Sequence, residues 1–262
     1  MEFKITSNRF MNIDNKDIKD KLDELYNICL NESLKGNKVA FYYKNMNNDI
    51  FSYNEDICFY AASAIKILVC TMIYRLADDN KIDLNEEILV TMDDLKQDTG
   101  VIKFQKEDTK YTINKLIELC ITESDNTAYL KLVDLVGKDK LEEYGKALGA
   151  IHTMEGKDKF GLINCSDMVL YWKDVMDYLK DGSNKDNYRE YLLHPSVRYV
   201  NRDNFLKKYG SWDIAYHEAG YMDVEYPYYL IVLTQLNKEE YKADFINKVA
   251  NLLDEINNII RK

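Results

Sequence analysis

Ser63-Ala64-Ile65-Lys66 places one hydroxyl and one amine three residues apart in a stretch, Phe59 to Tyr74, that is otherwise largely apolar on every side. A helix apolar all round is a buried helix, and residues three apart share one of its faces. An ammonium held among apolar neighbours loses hydration, so its pKa falls. The neutral amine can then take the proton of a neighbouring hydroxyl and make it a nucleophile. Where Ser63 opens the helix, its backbone N–H is a free donor for the oxyanion of an attacked carbonyl. Two matched positions also arise by chance, with the serine a helix cap and the lysine reaching to solvent. The rest of the chain has to supply the other groups.

A second candidate, Ser124-Asp125-Asn126, interrupts the apolar helical pattern of Thr112 to Val136. These residue types are poor in helix interiors, so one reading is a break whose side chains cap the next helix. The functional reading makes Ser124 a proton relay in a cleft and Asn126 a partner of Lys66 and of a substrate amide. The third group should be a lysine on a strand across that cleft. Of Lys159-Phe160-Gly161, Lys180-Asp181-Gly182 and Lys208-Tyr209-Gly210, only the last leads into a strand, expected at Trp212–Met222.

The elements that must position these groups follow from periodicity. Asp14 to Leu34 carries one apolar helical face, and Val39–Tyr43 and Ile50–Tyr53 read as a hairpin around Asn47-Asn48. From Ala61 to about Asn201 the pattern is mainly helical, through Leu84–Leu95, Leu141–Leu148 and Ser166–Leu179, with Ser166 a cap and Thr99-Gly100 a loop. Tyr228–Thr234 reads as a central strand, and Glu239–Ile260 as a last amphipathic helix. The expectation is an α+β fold: residues 1–60 and 202–262 form an antiparallel sheet covered by the N- and C-terminal helices. Residues 61–201 form an inserted all-helical subdomain carrying Ser63, with the cleft between the two parts.

Composition narrows the partners. The 262 residues carry a formal charge of −10, which disfavours nucleic acid and anionic membranes. No stretch is apolar and long enough to span a bilayer. Met1 to Asp17 holds no apolar signal region, so the chain as given reads as cytoplasmic, or as exported if a leader was trimmed. The five cysteines and three histidines are scattered, so no metal or other cofactor is expected, and the thiols read as small buried hydrophobes. A monomer acting on a small molecule is the expectation.

In this order and context, Ser63-x-x-Lys66, Ser124-Asp125-Asn126 and Lys208-Tyr209-Gly210 resemble the S-x-x-K, S-D-N and K-[T/S]-G signature of class A β-lactamases and their penicillin-binding relatives. The phrases Tyr60-Ala61-Ala62-Ser63, Glu123 to Ala128 and His217-Glu218-Ala219-Gly220 are similar too, and the likeness runs over nearly the whole chain. The resemblance implies that Ser63 is acylated by an amide, ester or β-lactam and that Lys66 accepts its proton. Ser124 would pass the proton to the leaving group, and the N–H groups of Ser63 and Ser211 would form the oxyanion hole. Lys208 would hold a substrate carboxylate, with Asn126, Tyr209, Gly210, Ser211 and Gly100 also around the substrate.

Two positions depart from that pattern. Tyr209 stands where the family has Thr or Ser, and its ring carries the hydroxyl several ångströms further out. The glutamate that activates the deacylating water has no clear counterpart: in Thr153–Asn164 the candidate is Glu155, and a surface charge beside a glycine turn is the competing reading. Lacking that base, an acyl-enzyme would persist, as in penicillin-binding D,D-peptidases. A non-catalytic descendant that binds a ligand or partner is the alternative from a different class.

Overall fold

The computed structural model describes residues 2–6, 16–156, 158–237 and 242–260. Six strands form one antiparallel sheet: β1 (Phe3–Thr6), β2 (Lys38–Asn45), β3 (Ile50–Tyr53), β8 (Phe205–Trp212), β9 (Ala215–Met222) and β10 (Tyr228–Gln235), in the order β1-β3-β2-β10-β9-β8. Both faces are covered, which is why Tyr228–Thr234 is a continuous apolar run rather than an alternating one. Val39, Phe41, Tyr43, Tyr228, Leu230 and Val232 face one layer, formed by α1 (Lys16–Leu34) and α8 (Lys242–Ile260) through Leu22, Leu25, Val249 and Leu253. Ala40, Tyr42, Tyr229, Ile231 and Leu233 face the other layer, the helical block.

That block holds α2 (Lys66–Asp78), α3 (Ile113–Thr122), α4 (Asn126–Val136), α5 (Lys138–Ala147), α6 (Cys165–Asp181) and α7 (Lys185–Leu193). Helix α2 contacts α3, α4, α5 and α6, and every residue from Lys66 to Tyr74 is buried. The fold is therefore α+β, a sheet with terminal helices on one face and a helical insertion on the other. The insertion also carries two short ribbons, β4 (Phe59–Tyr60) with β7 (Leu162–Ile163) and β5 (Glu87–Val90) with β6 (Thr109–Thr112).

Several expectations are corrected. Leu84–Leu95 is not helical: β5 and a 3-10 turn, Met92–Asp94, occupy it, the turn held by a reciprocal Thr91–Asp94 cap. Trp212–Met222 is not one strand. The chain reverses at Asp213, whose φ of 51° supplies the left-handed turn, so Lys208 lies within its own strand, β8. Ser166 does not cap α6: Asn164 does, accepting from the Asp167 N–H at 2.7 Å, while Ser166 Oγ donates to Asp56. The expected helix starts at Asp14 and Glu239 lie outside the described residues, as do residues 7–15 of the N-terminal stretch.

Candidate active site

Ser63 lies in a 3-10 turn, Ala62–Ile65, that runs straight into α2, so it does not cap the helix. In such a first turn its N–H has no acceptor within the helix. Ala62, just before it, has a φ of 46°. A non-glycine residue in this region costs on the order of 1–3 kcal/mol and persists only where its surroundings enforce it. The surroundings here are identifiable. Ala61 N–H donates to Gly161 O at 3.0 Å, and β4 pairs with β7 beside it. From the other side, His217 of β9 bonds Tyr60 O through Nε2 at 2.8 Å. The His217 Nδ1 accepts from the Thr234 N–H at 3.2 Å. Burial pulls the His217 pKa down to about 4; the ring is a neutral strut with its proton on Nε2.

Strand β8 is the sheet's edge and packs directly on the Ser63 turn. Gly210 makes this approach feasible: a Cβ there would lie 3.0 Å from Ala64 N and 3.1 Å from Ala61 O. The glycine of the third motif thus has a steric role: it lets β8 lie directly on the Ser63 turn.

The second motif is a loop between α3 and α4. Asp125 caps α4 through Oδ1 to the Ala128 N–H and, through Oδ2, accepts from the N–H groups of Val101 and Ile102 at 2.7 and 2.8 Å. Capping and site-building are therefore one role. Gly100, with a φ of 111°, meets Asp125 so closely that a Cβ would lie 2.1 Å from Oδ2. Ser124 itself has a φ of 52°, which turns its side chain inward, and it is fully buried.

Around Ser124 the groups converge. Lys66 Nζ donates to Ser124 O at 2.6 Å, Ser124 Oγ at 3.1 Å and Asn126 Oδ1 at 2.6 Å. Lys208 Nζ donates to the same Ser124 Oγ at 3.0 Å and to Tyr209 O at 3.3 Å. Neither amine is exposed to solvent. Lys66 therefore does not reach for water; burial lowers its pKa to about 8. Burial, and then the charge on Lys66, push Lys208 well below its usual 10.5. Two amines sharing one hydroxyl in a dry site cannot both carry charge cheaply. Asn126 completes the set by donating through Nδ2 to Asp98 at 2.8 Å. Among the described residues, Ser63 Oγ is not a hydrogen-bond partner of either amine. The three bonds of Lys66 are those of an ammonium at rest, and it must release one of them before its lone pair can face Ser63.

Glu155 is not brought to this cluster. Its carboxylate is 57% exposed and bonds His152 Nδ1 at 2.7 Å. Aromatic rings stand beside Lys66 instead, with the Tyr129 and Phe160 centroids 5.5 and 5.9 Å from Nζ. These two rings pack together at 4.8 Å, and Tyr60 adds a third at 6.3 Å from Phe160. On the far side Tyr209 is buried, its ring centroid 4.1 Å from Lys208 Nζ. Tyr199 stands edge-on to it at 6.2 Å. Tyr199 is held by Glu218, the cross-strand neighbour of Tyr209, whose Oε2 accepts from the N–H groups of Tyr199 and Val200. Glu218 is buried, with Oε1 lacking a partner among the described residues, and burial raises its pKa to about 7. Sequence reasoning missed Asp98, Tyr129, Tyr199 and the role of Glu218. Of these only Glu218 had a signal, standing in the His217–Gly220 phrase. No cluster of three or more His, Cys, Asp or Glu residues suited to a metal occurs among the described residues.

Residues 17–257 match the family model described as "Beta-lactamase enzyme family". The chain belongs to that family. Beta-lactamase BRO-1 of Moraxella catarrhalis is 26% identical over 174 residues, 62% of this chain and 55% of that protein. This chain thus spans about half the length of the curated relative it matches. Among solved structures, a beta-lactamase from Sphaerobacter thermophilus superposes with a TM-score of 0.82 at 19% identity, covering 90% of this chain and 97% of that one. A mutant of PBP-A, solved as an acyl-enzyme complex with penicillin G, gives 0.81 at 17% identity, covering 90% and 96%. At these identities the two structures show the beta-lactamase fold.

Proposed function

We propose that this chain is a serine acyl-transfer hydrolase of the beta-lactamase type, which opens an amide, ester or β-lactam through an acyl-enzyme on Ser63. The observation that carries the reading is the Ser124 hydroxyl, 3.1 Å from Lys66 Nζ and 3.0 Å from Lys208 Nζ in a site without solvent contact. In the neutral form Lys66 takes the Ser63 proton as Ser63 Oγ bonds the acyl carbon. The N–H groups of Ser63 and Ser211 hold the developing oxyanion, each such donor being worth roughly 10²–10³ in rate. Ser124 hands the proton to the leaving atom. Asn126 fixes Lys66 and faces the substrate amide.

Hydrolysis of the acyl-enzyme is the slow step. The place beside Lys66 where a base would activate water is walled by Phe160 and Tyr129, and Glu155 is turned to His152. The chain then behaves as a penicillin-binding protein does, holding its acyl group. An activated aryl ester should release a rapid burst of about one equivalent of phenol per chain, followed by a slow steady state. A linear time course with no burst, identical for Ser63→Ala, would favour the second reading: a non-catalytic binding protein, which draws on the buried Tyr209.

A further inference from the structure

Resting on acyl transfer at Ser63, we infer that this site selects acyl donors without a carboxylate near the scissile bond, recognising uncharged aromatic esters or amides by ring contacts. The two amines nearest the reacting groups are both fully buried, and their hydrogen bonds run to Ser124, Asn126 and Tyr209 O. A carboxylate gains from a cation only if it can reach it, and burying an unpaired carboxylate is costly. Here the Tyr209 ring covers the Lys208 amine at 4.1 Å, inside the range of a cation–π contact. The ring cannot swing aside freely: Tyr209 is 3% exposed and Tyr199 is edge-on to it at 89°. Tyr199 is fixed in turn by Glu218, whose Oε2 accepts from its backbone N–H.

Burial also weakens the cation behind this wall, holding Lys208 well below its usual 10.5. On the Lys66 side Tyr60 and Phe160, both half-buried, pack against each other at 6.3 Å. A flat, uncharged group meeting such rings finds stacking partners, worth ~0.5–1.5 kcal/mol for each ring pair beyond area burial. Tyr199 and Tyr209 thus determine specificity at this site.

The test uses a matched pair: the ester of phenylacetylglycine with 3-hydroxybenzoate, joined through the phenol oxygen, and the same ester with the benzoate carboxylate methylated. In the acylation of either, Ser63 Oγ bonds the acyl carbon, the acyl–O(aryl) bond breaks, and the serine proton leaves on the phenol. The wild type should be acylated at least tenfold faster by the methyl ester, measured as phenol release and as adduct mass. Tyr209→Thr should shift the ratio at least tenfold toward the acid, while Tyr209→Phe, which keeps the ring, should leave it in favour of the methyl ester. A wild-type preference for the acid, or a ratio near one, overturns the inference while leaving acyl transfer at Ser63 standing. If neither ester nor a fluorophosphonate labels wild type above Ser63→Ala, acyl transfer falls and this inference with it.

Discussion

Acylation of Ser63 should follow the titration of Lys66. Free lysine, at 10.5, is neutral in about three molecules in ten thousand at pH 7; with its pKa lowered to about 8 by burial, Lys66 is neutral in roughly one in ten. Burial therefore raises the supply of free base about 300-fold at neutral pH. The sign follows directly, because only the neutral amine accepts the serine proton. Below pH 8 the burst rate constant with an aryl ester should rise about tenfold per pH unit, then level above it, giving about 100-fold between pH 6 and the plateau. The assay is stopped-flow release of phenol, corrected with Ser63→Ala at each pH. Lys66→Ala should lower the burst rate by about 10²–10⁴ and flatten the profile. A profile flat from pH 6 to 9 in the wild type, or one still rising toward 10.5, would refute the assignment of Lys66 as the base.

Four further outcomes follow from the geometry. Gly210→Ala puts a methyl 3.0 Å from Ala64 N and should reduce acylation about 10²–10³-fold by pushing Ser211 away from the Ser63 turn, with the circular dichroism spectrum unchanged. Gly100→Ala, at a φ of 111° and against Asp125, should cost about 1–3 kcal/mol in urea unfolding. Phe160→Glu sets a carboxylate beside Lys66 and should speed loss of the acyl adduct by about 10²–10⁴, followed by intact mass over time. Glu218 and His217 make opposite contributions to acid stability. The raised Glu218 pKa lets the fold bind a proton between pH 7 and 4.5 that the unfolded chain does not, so this group adds stability as pH falls. The lowered His217 pKa removes stability as pH falls from 6.5 to 4. Glu218→Gln should therefore make unfolding free energy drop more steeply between pH 6.5 and 4.5 than in wild type, by up to about 1.4 kcal/mol per pH unit. An unchanged slope would contradict the assignment.

The sequence made the chemistry more legible than its supports. Ser63-x-x-Lys66 stands out because a lone amine in an apolar helix is costly unless it has partners, and Ser124 and Asn126 are those partners. The end helices and Tyr228–Thr234 were readable because their burial imposes a period or a continuous run. The hairpin of β8 and β9 was hidden because Asp213, rather than Gly or Asn, takes the left-handed turn. The β5–β6 ribbon escaped because its residues are half exposed and carry no clean alternation. Tyr199 has no local signal: its place depends on a buried carboxylate from β9, a contact 19 residues away in the chain.

The most direct measurement is peptide-mapped mass spectrometry of the chain after reaction with an uncharged aryl phenylacetylglycinate ester. A single acyl group per chain, on the peptide holding Ser63 and absent from Ser63→Ala, is the predicted result. An unmodified Ser63 peptide, or an adduct that persists when Ser63 is replaced, would contradict acyl transfer at this serine.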